Sequence, residues 1–153
     1  MGRRRKAREE TLRILYRLEF DNREPEEILR QYWKSRKIDR ETRDYSTWLT
    51  KGITSHQEEI DSLIQSASEH WRLPRMAVID RNVLRMAVYE LLIEKDIAPA
   101  IVINEAIEIA RKYSGDESAV FVNGILDAVR KNLEKTKKGL KEKKDDKKEK
   151  HRV

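Results

Sequence analysis

The sequence predicts an all-α protein of about six or seven helices. Apolar side chains recur at spacings of three and four residues through most of the chain, which is the period of a helix with one buried face. No segment of useful length alternates apolar and polar residues, as a half-buried strand would. The three prolines lie at expected helix boundaries. With 153 residues and no cysteine, the chain can form a hydrophobic core without disulfides.

Two helices are predicted in the first 35 residues. The first spans residues 3–20, and its apolar stripe consists of Ala7, Thr11, Ile14, Leu15 and Leu18. After a polar break at residues 21–24, Pro25 suits the first position of a short second helix. The apolar face of that helix carries Ile28, Leu29, Tyr32 and Trp33.

A long third helix is predicted from Asp39, a candidate N-cap, to Ala67. Its stripe consists of Tyr45, Trp48, Leu49, Ile53, His56, Ile60, Leu63, Ile64 and Ala67. Gly52 lies on the same face, where a missing side chain allows another helix to cross closely. Pro74 separates this helix from the next.

Three further helices are predicted in the C-terminal half. The first spans residues 76–94, the second starts at Pro99, and a turn at residues 114–116 separates the second from the last. Asn123-Gly124 is nominally a hairpin signal, but it lies inside a strong 3.6-residue pattern, so the helix is favoured.

The net charge of +6 comes entirely from the end of the chain. Residues 1–134 contain 24 basic and 24 acidic residues, whereas residues 135–153 contain 10 basic and 4 acidic residues. The sequence therefore predicts a folded domain over residues 1–134 and a lysine-rich tail over residues 135–153 that is disordered or a frayed helix. Any argument for nucleic-acid binding by the domain must depend on local patches.

The residue pattern argues against catalysis and against a resident metal or cofactor. The absence of cysteine removes thiol chemistry, and His56, His70 and His151 lack the spacing of metal ligands. We interpret His56, on an apolar face, as a core or boundary residue. There is no glycine-rich phosphate loop, no run of about 18 apolar residues and no secretory signal. We therefore expect a cytoplasmic protein that is neither an enzyme nor bound to a membrane.

The first feature that suggests a function is the basic segment, residues 3–8 (RRRKAR). Five cations in six residues stand at the start of a helix, where the positive end of the helix dipole disfavours them. Such a run points to an anionic partner, and guanidinium groups match RNA phosphates well. A disordered basic end would explain the same run without a ligand.

The second feature is an outward stripe on the last predicted helix. Glu117, Phe121, Gly124 and Ala128 fall in a sector away from the core face that Val122 defines. Glycine within a helix costs roughly 1 kcal/mol relative to alanine, so an outward glycine suits the close approach of a nucleotide or backbone. Phe121 could stack on an unpaired base. Alternatively, Phe121 packs under a neighbouring helix and Gly124 serves an intramolecular crossing, and the pattern leaves both interpretations open.

The chain resembles the NusB family of transcription antitermination factors. Four segments carry the resemblance in the family's order: residues 3–9 (RRRKARE) followed by Leu15-Tyr16, residues 83–90 (VLRMAVYE), residues 103–110 (INEAIEIA) and residues 121–127 (FVNGILD). The resemblance covers about residues 3–134. It implies a compact helical fold of two small bundles without a cofactor.

The resemblance also implies a function. Members of this family bind the single-stranded boxA sequence of nascent transcripts together with NusE, a ribosomal protein of the small subunit. With other Nus factors on RNA polymerase they suppress premature termination, notably in ribosomal RNA operons.

Specific residues follow from the resemblance. The implied RNA contacts are Arg3, Arg4, Arg5, Lys6, Arg8, Phe121 and Asn123, and the outward-glycine argument adds Gly124. Tyr16 and Asp80 are the implied NusE contacts, and Glu117 would lie beside RNA or NusE. We expect the basic segment and the Phe121 helix to form two walls of one RNA groove.

Two other functions fit the residue pattern. A helical protein–protein adaptor, or a homodimer, would use the outward stripe as a docking face and the basic ends for solubility. A NusB-like domain also precedes some RNA cytosine methyltransferases, but this chain has neither a catalytic cysteine nor room for that second domain.

Overall fold

The computed structural model describes the backbone of residues 2–150 and the side chains of residues 2–137, and over this part of the chain it contains α-helices and no strand. This confirms the predicted all-α fold class. The seven helices are α1 (Gly2–Phe20), α2 (Pro25–Lys34), α3 (Arg40–Ser55), α4 (Gln57–Ala67), α5 (Val78–Ile93), α6 (Pro99–Ser114) and α7 (Asp116–Lys150). A short 3-10 helix, Leu73–Arg75, lies between α4 and α5.

The predicted boundary residues act as expected. Pro25 and Pro99 are the first residues of α2 and α6. Asp39 caps α3, because its Oδ2 accepts a hydrogen bond of 3.1 Å from the backbone N–H of Thr42. Gly115 has a φ of 97° between α6 and α7, a left-handed conformation that glycine adopts at little cost. The tight turn at Gly115 reverses the chain, so α7 packs back against α6.

The prediction of one long helix from Asp39 to Ala67 is wrong, because the chain breaks at His56. This residue has φ −117° and ψ 20°, and its backbone N–H donates to the carbonyl oxygens of Gly52 and Ile53. Its ring Nδ1 lies 2.9 Å from the Gly52 oxygen, and the side chain is exposed, not part of the core. Ile53 in α3 and Ile60 in α4 are nevertheless both fully buried, so the apolar period runs through the break.

The helices pack as two groups, α1–α3 and α4–α7, and α5 contacts helices of both. One large hydrophobic cluster includes side chains from every helix except α2. A smaller cluster joins α1 to α2 through Ile14, Leu29, Tyr32 and Trp33. This packing places the first two turns of α1 between α3 and α6, so α1 presents its N-terminal side chains to two neighbours.

The helix α7 continues past residue 134, where the sequence analysis places the end of the folded domain. Its backbone is helical as far as Lys150, and residues 151–153 of the expected tail, with His151, lie outside the described residues. The domain boundary at residue 134 stays a prediction. Over the described residues, no helix combines the length and apolar character that crossing a membrane requires.

Candidate nucleic-acid interface

The basic segment occupies the first two turns of α1, and its five cations have different environments. Arg3, Arg4 and Lys6 are exposed, Arg5 is partly buried, and Arg8 is buried. A helix turns about 100° per residue, so consecutive side chains point to different sides of α1. The segment therefore presents some cations to solvent and uses others inside the protein.

Arg8 is an internal residue, only 4% exposed. Its Nε donates to Glu90 Oε1 at 2.7 Å and its Nη2 donates to Glu90 Oε2 at 2.8 Å. The Tyr45 hydroxyl also donates to Glu90, at 3.0 Å, and Glu105 Oε2 lies 3.8 Å from Arg8 Nη1. The expectation that Arg8 contacts a phosphate directly therefore needs correction. Its guanidinium is turned inward, where it fastens α1 to α5.

Arg5 has an intermediate position, with its side chain 30% exposed. It donates from Nε and Nη2 to the two carboxylate oxygens of Glu105, at 2.6 and 2.9 Å. The hydrogen bond from Arg5 holds the pKa of Glu105 below its usual value. Glu105 thereby ties the start of α1 to α6, while one side of the Arg5 guanidinium faces solvent.

The remaining cations of the segment lie on the surface. Arg3 pairs with Glu41 and lies 3.9 Å from Asp39, and the Arg4 guanidinium stacks 3.7 Å above the centre of the Tyr45 ring. Lys6 borders a concave surface of about 620 Å³ between α1, α6 and the connection that follows α2. The residues lining this concave surface include the cations Arg5, Lys6, Arg13, Arg36 and Lys112, and the acids Glu9, Glu10 and Glu108. Cations outnumber acids here, which suits an anionic ligand.

Phe121 lies near the start of α7, at a second cavity of about 390 Å³. The resemblance assigned Asp80, Glu117 and Phe121 to RNA or NusE, and all three line this one cavity together with Trp71, Arg75, Met76, Ala77 and Ser118. Phe121 is partly buried and packs against the main core while one side faces the cavity. The packing agrees with the core interpretation of Phe121, and stacking on an RNA base stays a prediction.

Asp80 has an unusual environment in this cavity. It is 8% exposed, and its Oδ1 is buried without a hydrogen-bond partner among the described residues. A buried carboxylate oxygen normally accepts a hydrogen bond, so Asp80 has an unsatisfied acceptor beside the cavity. Glu117, on α7, is exposed at the same cavity.

Trp71 and Arg75 belong to this cavity but were missed by the sequence analysis. They lie in the connection between α4 and α5, where the helical pattern of apolar residues is interrupted. The pattern therefore gave no prediction for these two residues. Trp71 is 54% exposed, and a large aromatic side chain in a polar connection was the available signal. Together with Phe121 it gives the cavity two aromatic rings.

Gly124 faces away from the protein, as predicted. A Cβ atom at this position would meet no atom within 4 Å, so the glycine serves no crossing between described helices. Asn123 is exposed beside it. The other explanation predicted for this glycine, the close approach of an external molecule, therefore remains.

Tyr16 does not line the cavity that contains Asp80 and Glu117. It is 48% exposed and stacks against Phe20, which is 68% exposed, with ring centres 5.1 Å apart. Both rings line a third concave surface with Arg13, Arg17, Asp21, Arg23, Tyr32 and Arg36. The three implied protein contacts therefore line two different concave surfaces.

The basic segment and Phe121 lie toward opposite ends of α5. Arg8 pairs with Glu90 near the end of α5, whereas Asp80 beside Phe121 is in the first turn of that helix. These two positions on α5 are about 15 Å apart at the helical rise. The cavities at the two ends share no lining residue. That the basic segment and the Phe121 helix form two walls of one RNA groove stays a prediction, and such a groove would run along α5.

No group of three or more His, Asp or Glu side chains that could hold a metal ion occurs among the residues whose positions are described. The candidate site consists of cations, aromatic rings and a few carboxylates, which suits binding through phosphates, stacking and hydrogen bonds.

Comparison with known proteins gives a consistent result. The family model described as the NusB family matches residues 5–131. The transcription antitermination protein NusB of Anaeromyxobacter dehalogenans is 42% identical over 139 residues, which are 90% of this chain and 97% of that protein. The residues that the family model matches therefore include most of the basic segment and all residues that line the Phe121 cavity.

Solved structures of similar chains agree with the fold. T. maritima NusB has a TM-score of 0.76 and 40% identity, over 84% of this chain and 90% of that one. A chain in the crystal structure of the antitermination factors NusB and NusE in complex with dsRNA has a TM-score of 0.77 and 28% identity, over 86% of this chain and 98% of that one.

Proposed function

The chain belongs to the NusB family, and from this premise we propose that it is a transcription antitermination factor that binds RNA together with NusE. As a member of this family it is a non-enzymatic protein. The observation that carries the proposal is the exposed part of the basic segment. Arg3, Arg4 and Lys6 project from a helix that Arg5 and Arg8 hold in place through buried carboxylates.

The proposed RNA is the single-stranded boxA sequence of a nascent transcript. Exposed cations neutralise phosphates, and Phe121 with Trp71 offers aromatic faces to bases that have left a helical stack. Asn123 and Gly124, beside Phe121, would let the strand approach the backbone of α7 closely. The similar NusB chain crystallised with NusE and dsRNA supports RNA as the ligand class.

NusE is the proposed protein partner. Asp80 and Glu117 would accept hydrogen bonds from its basic side chains, and the exposed rings of Tyr16 and Phe20 would contact it on the neighbouring surface. In the cell, the complex would act in the cytoplasm with other Nus factors on RNA polymerase. It would suppress premature termination, notably in ribosomal RNA operons.

A titration of labelled boxA RNA, with and without purified NusE, tests this function. We expect boxA RNA to bind more tightly than a scrambled RNA of the same composition, and NusE to increase the affinity. The logarithm of affinity should fall with the logarithm of salt concentration by about 0.7 for each phosphate neutralised. Equal affinity for the scrambled RNA, or no binding with NusE present, would refute the proposal.

The exposed pair of Tyr16 and Phe20 also favours a second candidate, a protein–protein adaptor or homodimer without RNA. Sedimentation of the pure protein, alone and with boxA RNA, separates the two functions. A dimer that ignores RNA would favour the adaptor, whereas a monomer that sediments with RNA would favour antitermination.

A further inference from the structure

A row of aromatic side chains starts beside the basic segment and crosses α3. We define this aromatic row as Tyr45, Trp48, Tyr89 and His56. The ring centres of Tyr45 and Trp48 are 5.4 Å apart, those of Trp48 and Tyr89 are 5.4 Å apart, and those of Tyr89 and His56 are 5.9 Å apart. Arg4 covers the first ring of the row at 3.7 Å.

The fold holds this row in position. Tyr45 and Trp48 are three residues apart on α3 and therefore share one side of the helix. The Tyr45 hydroxyl donates to Glu90, the same buried carboxylate that binds Arg8. Tyr89 reaches the row because Gly52 lacks a side chain, since a Cβ there would overlap the phenol ring. The basic segment and the aromatic row are thus fastened to one point on α5.

The core accounts for Tyr89, which is 5% exposed, but not for Trp48. The Trp48 side chain is 38% exposed, whereas its neighbour Leu49 is completely buried. A lone exposed tryptophan would need no explanation. Here, however, the indole continues a stack that begins at an exposed arginine. Arginine planes and aromatic rings are the surfaces on which proteins stack unpaired RNA bases.

The charges around the row are mixed, and the cations have weak local partners. A cavity of about 430 Å³ at its start is lined by Arg3, Arg4, Tyr45 and the acids Glu41 and Asp44. The pair of Arg3 with Glu41 is solvent-exposed on both sides, so a phosphate can compete for Arg3. Asp44 lies 3.8 Å from Arg40, and Lys51 is exposed one turn beyond Trp48. The row therefore has cations along both its α1 and α3 sides.

We propose that Trp48, held between Tyr45 and Tyr89 in the aromatic row, stacks an unpaired base of a single RNA strand whose phosphates contact Arg3, Arg4 and Lys6. This inference rests on the proposed function and extends it, because it adds a base-binding surface on α3 to the one at Phe121. Trp48 is the central residue of this base-binding surface. Arg4 would bind a phosphate and offer its guanidinium plane as the first step of the stack.

Substitution of Trp48 tests the proposal through affinity. Trp48→Ala should weaken binding of single-stranded boxA RNA by about 5- to 100-fold, the range expected for loss of one stacked base. Trp48→Phe should retain more of the affinity, because a smaller ring remains. Circular dichroism of both variants checks that the helices are intact, and Trp48→Phe keeps the test valid where Trp48→Ala fails to fold.

Tryptophan fluorescence gives an independent measurement. The difference in emission between the unmodified chain and Trp48→Phe reports Trp48, one of the three tryptophans of the chain, and stacking with RNA should quench this emission. Unchanged affinity of Trp48→Ala together with unquenched Trp48 emission, in a protein that still binds boxA RNA, would overturn this inference alone. Quenching by NusE without RNA would overturn it in favour of a protein contact. Absence of RNA binding by the unmodified chain would overturn the proposed function as well.

Discussion

Arg8 on α1 and Glu90 on α5 form a buried ion pair with two parallel hydrogen bonds, of 2.7 and 2.8 Å. Both residues are less than 5% exposed. The pair joins the two groups of helices and also sets the position of Tyr45, whose hydroxyl donates to Glu90. One internal contact thus determines where the exposed cations of α1 lie relative to the aromatic side chains of α3.

Glu90→Gln should lower the free energy of unfolding by about 3–5 kcal/mol, because it leaves the Arg8 charge buried without a carboxylate. Urea denaturation measures this change, with Glu59→Gln, at an exposed position of α4, as the control. The double variant Arg8→Met, Glu90→Leu should lose less stability than the sum of its single variants. A change of under about 1 kcal/mol in Glu90→Gln would mean that the pair contributes little.

Arg4→Ala combined with Lys6→Ala should weaken RNA binding and reduce the salt slope by about 1.4, the value for two phosphates on a single strand. Neither side chain has a buried partner among the described residues, so the stability of the fold should change little. Lys95→Ala, at an exposed site between α5 and α6, is the control. An unchanged slope in the double variant would remove these two residues from the RNA interface.

Two glycine substitutions should have opposite effects on stability. Gly52→Ala should destabilise the protein by about 1–3 kcal/mol, because its Cβ would overlap the ring of Tyr89. Gly124→Ala should stabilise it by up to about 1 kcal/mol, because the added methyl group meets no atom and alanine favours a helix. Thermal denaturation of both variants measures the difference. In Gly124→Ala, higher stability with weaker RNA binding would indicate that the strand approaches the backbone there, and unchanged binding would argue against that approach.

Phe121→Leu should weaken RNA binding by about 5- to 100-fold, the range for one lost stacking contact. Leucine retains an apolar side chain against the main core, so the helix content should be unchanged. Filter binding with circular dichroism measures both quantities. Normal RNA affinity with reduced stability would assign Phe121 to the core and not to the interface.

Glu19 should make folding sensitive to acid. Arg81 donates two hydrogen bonds to its carboxylate and Arg85 donates a third, and these contacts lower the pKa of Glu19 to about 2 from its usual value of 4.5. The folded pKa is below the unfolded one, so this stabilisation is complete above about pH 4.5 and is lost as the pH falls toward 2.

Glu19→Gln should therefore be less stable than the unmodified protein at pH 7, by about 2–3 kcal/mol. The difference should shrink between pH 4.5 and pH 3. Urea denaturation at pH 7, 5, 4 and 3 measures it, with Glu59→Gln as the control. A difference that stays constant across this pH range would show that Glu19 contributes through packing and not through its charge.

The helical period was sufficient to predict the fold class and most helices, because burial of one face repeats with that period wherever the chain is helical. It could not show the break at His56, since Ile53 and Ile60 on either side face the same core. A helix end determined by hydrogen bonds from one residue leaves no mark on the apolar pattern.

The candidate site was only partly predictable. Charge patterning identified the basic segment, but it could not distinguish Arg8 from Arg4, because the buried acid that pairs with Arg8 is 82 residues away in the sequence. Asp80 and Phe121 meet at one cavity only after α5 and α7 pack together. Contacts between distant segments depend on tertiary packing, and the pattern of a single sequence does not show which distant residues will meet.

The separation of the basic segment from the Phe121 cavity along α5 has a consequence for ligand length. A strand that engages both ends links two weak binding events, and the first raises the effective concentration of the second site. Oligonucleotides too short to bridge the interval gain nothing from this linkage. Affinity should therefore increase gradually with chain length at first and then rise abruptly once the strand reaches both ends, so the body of the protein would act as a molecular ruler for its RNA.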